Sequence, residues 1–90
     1  MKKERAVITV IGEDHPGIIA AVTSACAELG INIEDLSQTV VQGLLTMTLI
    51  VDITGKELRE LQRRLERVAE EQRVKIIAQH EDIFRYMHRI

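Results

Sequence analysis

Apolar residues recur along this chain in two rhythms, one of period two and one near 3.6, and the switches between them divide it into elements. Arg5-Ala6-Val7-Ile8-Thr9-Val10-Ile11-Gly12 is short, rich in β-branched residues and bounded by polar and glycine positions, which predicts a first strand over residues 5–12. Asp14, His15, Pro16 and Gly17 break it. Pro16 suits the first position of a helix, where its missing N–H costs nothing. Ile18, Val22, Ala25 and Leu29 follow at helical spacing with Ala21 and Cys26 beside them, and Gly30 supplies a stop, so a helix is expected over residues 16–29. Ile31 to Val41 and Leu44 to Ile53 are strand-like and joined at Gln42-Gly43, a connection of hairpin type. In the second run Leu45, Met47, Leu49, Val51 and Ile53 share one face, and Thr46, Thr48 and Asp52 the other. In the first, the apolar set changes phase from Ile31 and Ile33 to Leu36 and Val40 across Glu34-Asp35, which predicts a bulge or a change of partner there. Lys56 to Gln72 places Leu58, Leu61, Leu65 and Val68 on one stripe of a strongly amphipathic helix. Arg73 to His80 gives a last strand with Val74, Ile76 and Ala78 on one face, and Glu81 to Ile90 spaces Ile83, Phe84, Met87 and Ile90 like the apolar side of a short helix.

The order strand, helix, strand, strand, helix, strand predicts an α+β fold of the ferredoxin-like βαββαβ type. In it a four-stranded antiparallel sheet carries two helices on one face, with a short C-terminal helical tail added. Ninety residues suit one domain, with a core over about residues 5–80 and a tail over 81–90. No repeat, linker or low-complexity tract interrupts it. The sheet face without helices still carries Val7, Thr9 and Ile11, so something should cover it: the tail, which holds Phe84 and Tyr86, or a second subunit.

Composition narrows the chemistry. Hydrophobic residues at 46% and charged residues at 29% describe a chain that folds. A net charge of −2, from 12 Lys plus Arg against 14 Asp plus Glu, provides no basic field for nucleic acid or an anionic membrane. No apolar run approaches the roughly 20 residues that span a bilayer, and Gly12, Glu13 and Asp14 interrupt any export-signal core. A lone cysteine, Cys26, fits a reducing compartment and a cytoplasmic address, and its place on the inner side of a helix makes it a core residue. His15, His80 and His88 match no metal-ligand spacing, so neither a metal nor another cofactor is expected. Glu34 and Asp35, adjacent on a strand, point to opposite faces and do not work on one bond together; a solvated face is expected for them. Arg59, Arg63, Arg64 and Arg67 alternate with Glu57, Glu60, Glu66 and Glu70 as salt-bridge partners on a wet helix. With no catalytic residue to name, an enzyme is not expected. Related architectures are set aside on their own terms: no sheet aromatic stacks RNA bases, no CxxC follows the first strand as in metal carriers, and no Arg occupies that loop as in acylphosphatases.

Ile11-Gly12-Glu13-Asp14-His15-Pro16-Gly17-Ile18, followed by Leu29-Gly30-Ile31-Asn32-Ile33, resembles the signature of the ACT family. The elements follow that fold in order over residues 5–80, and the tail Asp82 to Ile90 looks like that of short, stand-alone prokaryotic ACT proteins. The relatives of the glycine cleavage repressor are similar but carry two such domains. The loop has its own physics, because a helix N-terminus presents unpaired N–H groups and a partial positive charge suited to a carboxylate. The competing structural reading is that Asp14 or His15 caps the helix, Pro16 starts it and Gly17 permits close helix-to-sheet contact.

The resemblance implies a regulatory domain that forms a homodimer, or a larger assembly, and binds a small molecule, often an amino acid, at the subunit interface between this loop and the start of the second strand. The implied ligand-binding positions are Gly12, Asp14, His15, Pro16, Gly17 and Ile18 in the loop, with Asn32 and Ile33 at the strand. In the serine-sensing ACT domains of phosphoglycerate dehydrogenase, His stands at the position of Gly12 and Asn at that of Asp14. Ionised Asp14 only accepts hydrogen bonds, so here it favours an ammonium group over a carboxylate. A stand-alone sensor implies a downstream protein to receive its signal. The alternative is an adaptor that dimerises through strand edges and binds a protein partner without a ligand.

Overall fold

The alternation in residues 5–13 and 44–52 becomes the two central strands of one sheet. A computed structural model describes residues 2–87, built as β1 (Arg5–Glu13), α1 (Ile18–Glu28), β2 (Asn32–Val41), β3 (Leu44–Asp52), α2 (Leu58–Gln72), β4 (Lys75–His80) and α3 (Glu81–Met87). His88, considered above as a metal ligand, and Ile90, placed above on the apolar side of the tail, lie outside the described residues. The strands run β2-β3-β1-β4, and every neighbouring pair is antiparallel. This is the ferredoxin-like architecture that the sequence predicts.

Ala6, Ile8 and Val10 of β1 and Leu45, Met47, Leu49 and Val51 of β3 point to one face, where Ile18, Val22 and Cys26 of α1 and Leu61 and Leu65 of α2 cover them. All are essentially inaccessible to water, so they supply most of the hydrophobic stabilisation. Burial also pushes the Cys26 thiol up, which leaves it neutral and inert. Gln42 and Gly43 join β2 to β3 with φ of 50° and 81°, the paired left-handed conformations of a tight hairpin turn. The register shifts between Ile33 and Asp35, so Glu34 is the extra residue of the bulge that the phase change predicts.

Four expectations need correction. α1 begins at Ile18, with Gly17 as its N-cap at φ 100°, so Pro16 sits in the preceding turn instead of at the first helical position. Neither Asp14 nor His15 caps the helix, which has no side-chain cap. Arg64 of α2 pairs with Glu28 of α1 instead of with a glutamate of its own helix. Glu34 is not merely solvated: it meets Lys3 Nζ at 2.5 Å and Arg5 Nε at 2.7 Å, and these two cations hold its carboxyl below the usual range. No described helix is long and apolar enough to cross a membrane.

Candidate functional site

The loop after β1 is held from three sides. The Asp14 N–H donates to the Gly43 carbonyl at 2.8 Å, which ties the loop to the β2–β3 hairpin. Gly12 lies against the entry to β4: a Cβ there would stand 2.7 Å from Val74 Cγ1 and 3.2 Å from Val74 Cα, so no side chain fits without moving the backbone. Gly17 adopts the left-handed conformation that turns the chain into α1, and the first intrahelical bond runs from the Ala21 N–H to the Gly17 carbonyl at 3.0 Å. The N–H groups of Ile18, Ile19 and Ala20 precede that bond and point out of the helix start. Ile18 itself is buried and anchors the turn, while Asp14, Pro16 and Gly17 are exposed.

His15 provides the third tie. Its Nε2 stands 2.7 Å from the carbonyl of Gln72, the last residue of α2, and its Nδ1 stands 3.0 Å from the carbonyl of Pro16. Carbonyls only accept, so both contacts are hydrogen bonds only when both ring nitrogens carry protons. The imidazolium thus clamps the loop to the C-terminus of α2, where the helix dipole favours a cation. Its pKa is raised, first by the bond to Gln72, then by that to Pro16, with Asp14 and Glu13 adding to the effect. No local pattern points to this partner, since 57 positions separate His15 from Gln72.

Asn32 and Ile33 lie elsewhere. Asn32 opens β2 and pairs with Asp52, which pairs with Arg5 at the beginning of β1. The loop leaves the far end of β1, beyond Glu13 and Leu44. Eight residue-to-residue steps along β1 separate the two ends, about 27 Å at the usual rise of a strand. The structure therefore brings Gly12, Asp14, His15, Pro16, Gly17 and Ile18 together and leaves Asn32 and Ile33 at the opposite end of the sheet. Ile33 is half-buried against the core, whereas Asn32 is exposed.

The edge between these ends is open. β2 is a lateral strand of ten residues, most of them exposed, with neither Lys nor Pro to blunt it. α1 packs beside it, and its exposed residues are Ile19, Ala20, Ser24 and Ala27, with a single charge, Glu28, at its C-terminal end. An open groove of about 480 Å³ runs between α1 and α2, past Ala21, Ser24, Glu28, Arg64, Arg67 and Glu71, and includes none of the loop residues. Among the described residues no group of His, Cys, Asp and Glu is arranged to hold a metal ion.

Comparison with known proteins matches this geometry to a family. A family model described as an ACT domain matches residues 4–79. A UPF0237 protein of Methanopyrus kandleri is 47% identical over 88 residues, spanning 96% of this chain and 98% of its own length. Among solved structures, an ACT domain protein from Streptococcus pneumoniae is 39% identical with a TM-score of 0.81, covering 92% of this chain and 96% of that one. The regulatory subunit of aspartate kinase from Thermus thermophilus, in a ligand-free form, is 32% identical with a TM-score of 0.69, covering 84% of this chain and 51% of that one.

Proposed function

The chain belongs to the ACT-domain family, and from that membership we propose that it is a non-catalytic regulatory domain that binds an amino acid or related metabolite at sites shared between two copies of itself. ACT domains are regulatory domains that bind small molecules. The regulatory subunit of aspartate kinase, similar over 84% of this chain, supports an amino-acid-linked role.

The observation that carries the reading is the separation of Asp14 from Asn32. One chain cannot close a small-molecule site across a whole sheet, but two chains can. If β2 of one copy pairs antiparallel with β2 of another, a two-fold axis sends the Asn32 end of each to the hairpin end of its partner, beside the loop and α1. Each dimer then has two sites, each with Asp14 and the start of α1 from one copy and Asn32 from the other. Asp14 accepts from a ligand ammonium, the unpaired N–H groups of α1 face its carboxylate, and Asn32 contributes both a donor and an acceptor.

A shared site has a distinctive test. In a thermal-shift panel of the amino acids, a ligand at about 100 times its dissociation constant adds roughly 2.7 kcal/mol to stability. Asp14→Ala and Asn32→Ala each abolish that shift. Mixed in equal amounts and allowed to exchange subunits, the two variants regain about one quarter of the wild-type binding capacity by calorimetry, because half of the dimers are mixed and each of those has one intact site out of two. No recovery in a mixture shown to contain mixed dimers overturns the shared site.

An adaptor that works without a ligand is the second reading. Its support is that Gly12 has a packing reason of its own against Val74 and contributes no side chain to a site. A full panel without any thermal shift would favour it.

A further inference from the structure

The sheet face opposite α1 and α2 is divided by strand. On β2 and β3 its middle carries hydroxyl groups, from Ser37, Thr39, Thr46 and Thr48, with Ile50 toward one end and the exposed Val41 and Leu44 at the hairpin end; on β1 and β4 it carries Val7, Thr9, Ile11 and Ile77. α3 lies over one end of this apolar strip. Gln79 Nε2 donates to Met87 Sδ at 3.1 Å, Arg5 stands 3.9 Å from Glu81, and Val7 is 4% exposed although it lies outside the main core. Beyond Thr9 the strip continues uncovered, with Ile11 46% and Ile77 41% exposed. α3 in turn presents Ile83, Tyr86 and Met87 to water, at 54%, 75% and 63%.

We propose that a second copy of this chain docks on this face, each α3 lying on the partner's Ile11–Ile77 end. The operation is a two-fold axis parallel to the sheet and perpendicular to its strands. It carries α3 from the Arg5 end of one chain to the Ile11 end of the other, along the same pair of strands, and sets β2 and β3 opposite the same strands of the partner. Charge follows the same operation. Near the covered end, Arg5 receives its own chain's Glu81; at the uncovered end, Lys75 projects on the same face, as the residue paired with Ile11, with the exposed Glu13 two residues further along β1 on that face. The rotation brings the partner's acidic start of α3, Glu81 and the exposed Asp82, to that lysine. α3 of one chain thus covers what α3 of the other leaves open, and the exposed sides of the two helices meet between the sheets.

This contact uses neither the β2 edge nor the loop, so it stands apart from the ligand site. The two axes are perpendicular, and together they close a tetramer. Light scattering of the full chain over a concentration series tests the contact. Ile77→Lys is expected to halve the wild-type mass. Lys75→Glu and Asp82→Lys are each expected to weaken the contact by about tenfold, and the double swap to restore it. A wild-type mass that survives Ile77→Lys, or two single losses that the double swap does not recover, overturns the proposal. Should Ile77→Lys lose its far-ultraviolet circular dichroism, Tyr86→Asp on the exposed side of α3 takes its place with the same expected halving. Recovery of ligand binding by mixed Asp14→Ala and Asn32→Ala chains reports the other contact, so either can fail alone.

Discussion

His15 shows how much one residue in this loop depends on the fold around it. Its ring is placed between two carbonyls, of Pro16 and Gln72, and only the imidazolium bonds to both. Because its folded pKa is raised from 6.5, the clamp's contribution to stability is fully present below that value and is lost as pH rises through the higher folded value. Thermal melts across that range should therefore show wild type losing stability toward alkaline pH. His15→Gln, which donates from one side-chain nitrogen only, should flatten that dependence; an unchanged slope would sink the clamp. Imidazole signals followed by NMR would give the raised pKa directly. In the sequence the same residue is a candidate ligand contact or a cap for α1, and its partner at the end of α2 has no local signature. Gly12 teaches a similar lesson, since its glycine is explained by Val74, 62 positions later, and not by the strand around it.

At the scale of elements, α2 is the most legible because its stripe repeats over four turns with charged residues around it. Leu61 and Leu65 end on the sheet as the stripe predicts. Leu65→Ala should cost about 2–5 kcal/mol in chemical denaturation, since the sheet beneath cannot collapse into the space left. A loss below 1 kcal/mol would mean that α2 packs loosely. The start of α1 is less legible, because Pro16 favours the first helical position while Gly17 alone can adopt the left-handed turn, and the backbone conformation decides. The bulge at Glu34 is legible as a phase change. Its ion pairs with Lys3 and Arg5 are not, because they join the N-terminal segment and β1 to β2 across the sheet end.

For the whole molecule the question is what the exposed strand β2 meets. An unpaired lateral strand has alternate N–H groups pointing to water, whereas a strand paired on both sides has none. Hydrogen exchange should accordingly show contiguous amide protection through Asp35–Val41 in the dimer. Protection of every second amide alone would leave the edge free and remove the support for a shared site. The chain by itself determined the number, order and facing of the elements, because hydrophobic periodicity is local and each period admits one burial pattern. It also contained the loop signature and Asn32. Only the tertiary structure decided that these lie about 27 Å apart at opposite ends of one sheet, that His15 belongs to the end of α2, and that α3 covers only one end of the apolar strip on β1 and β4. Those are distances between residues far apart in sequence, fixed by strand register and helix placement, and no local pattern encodes them.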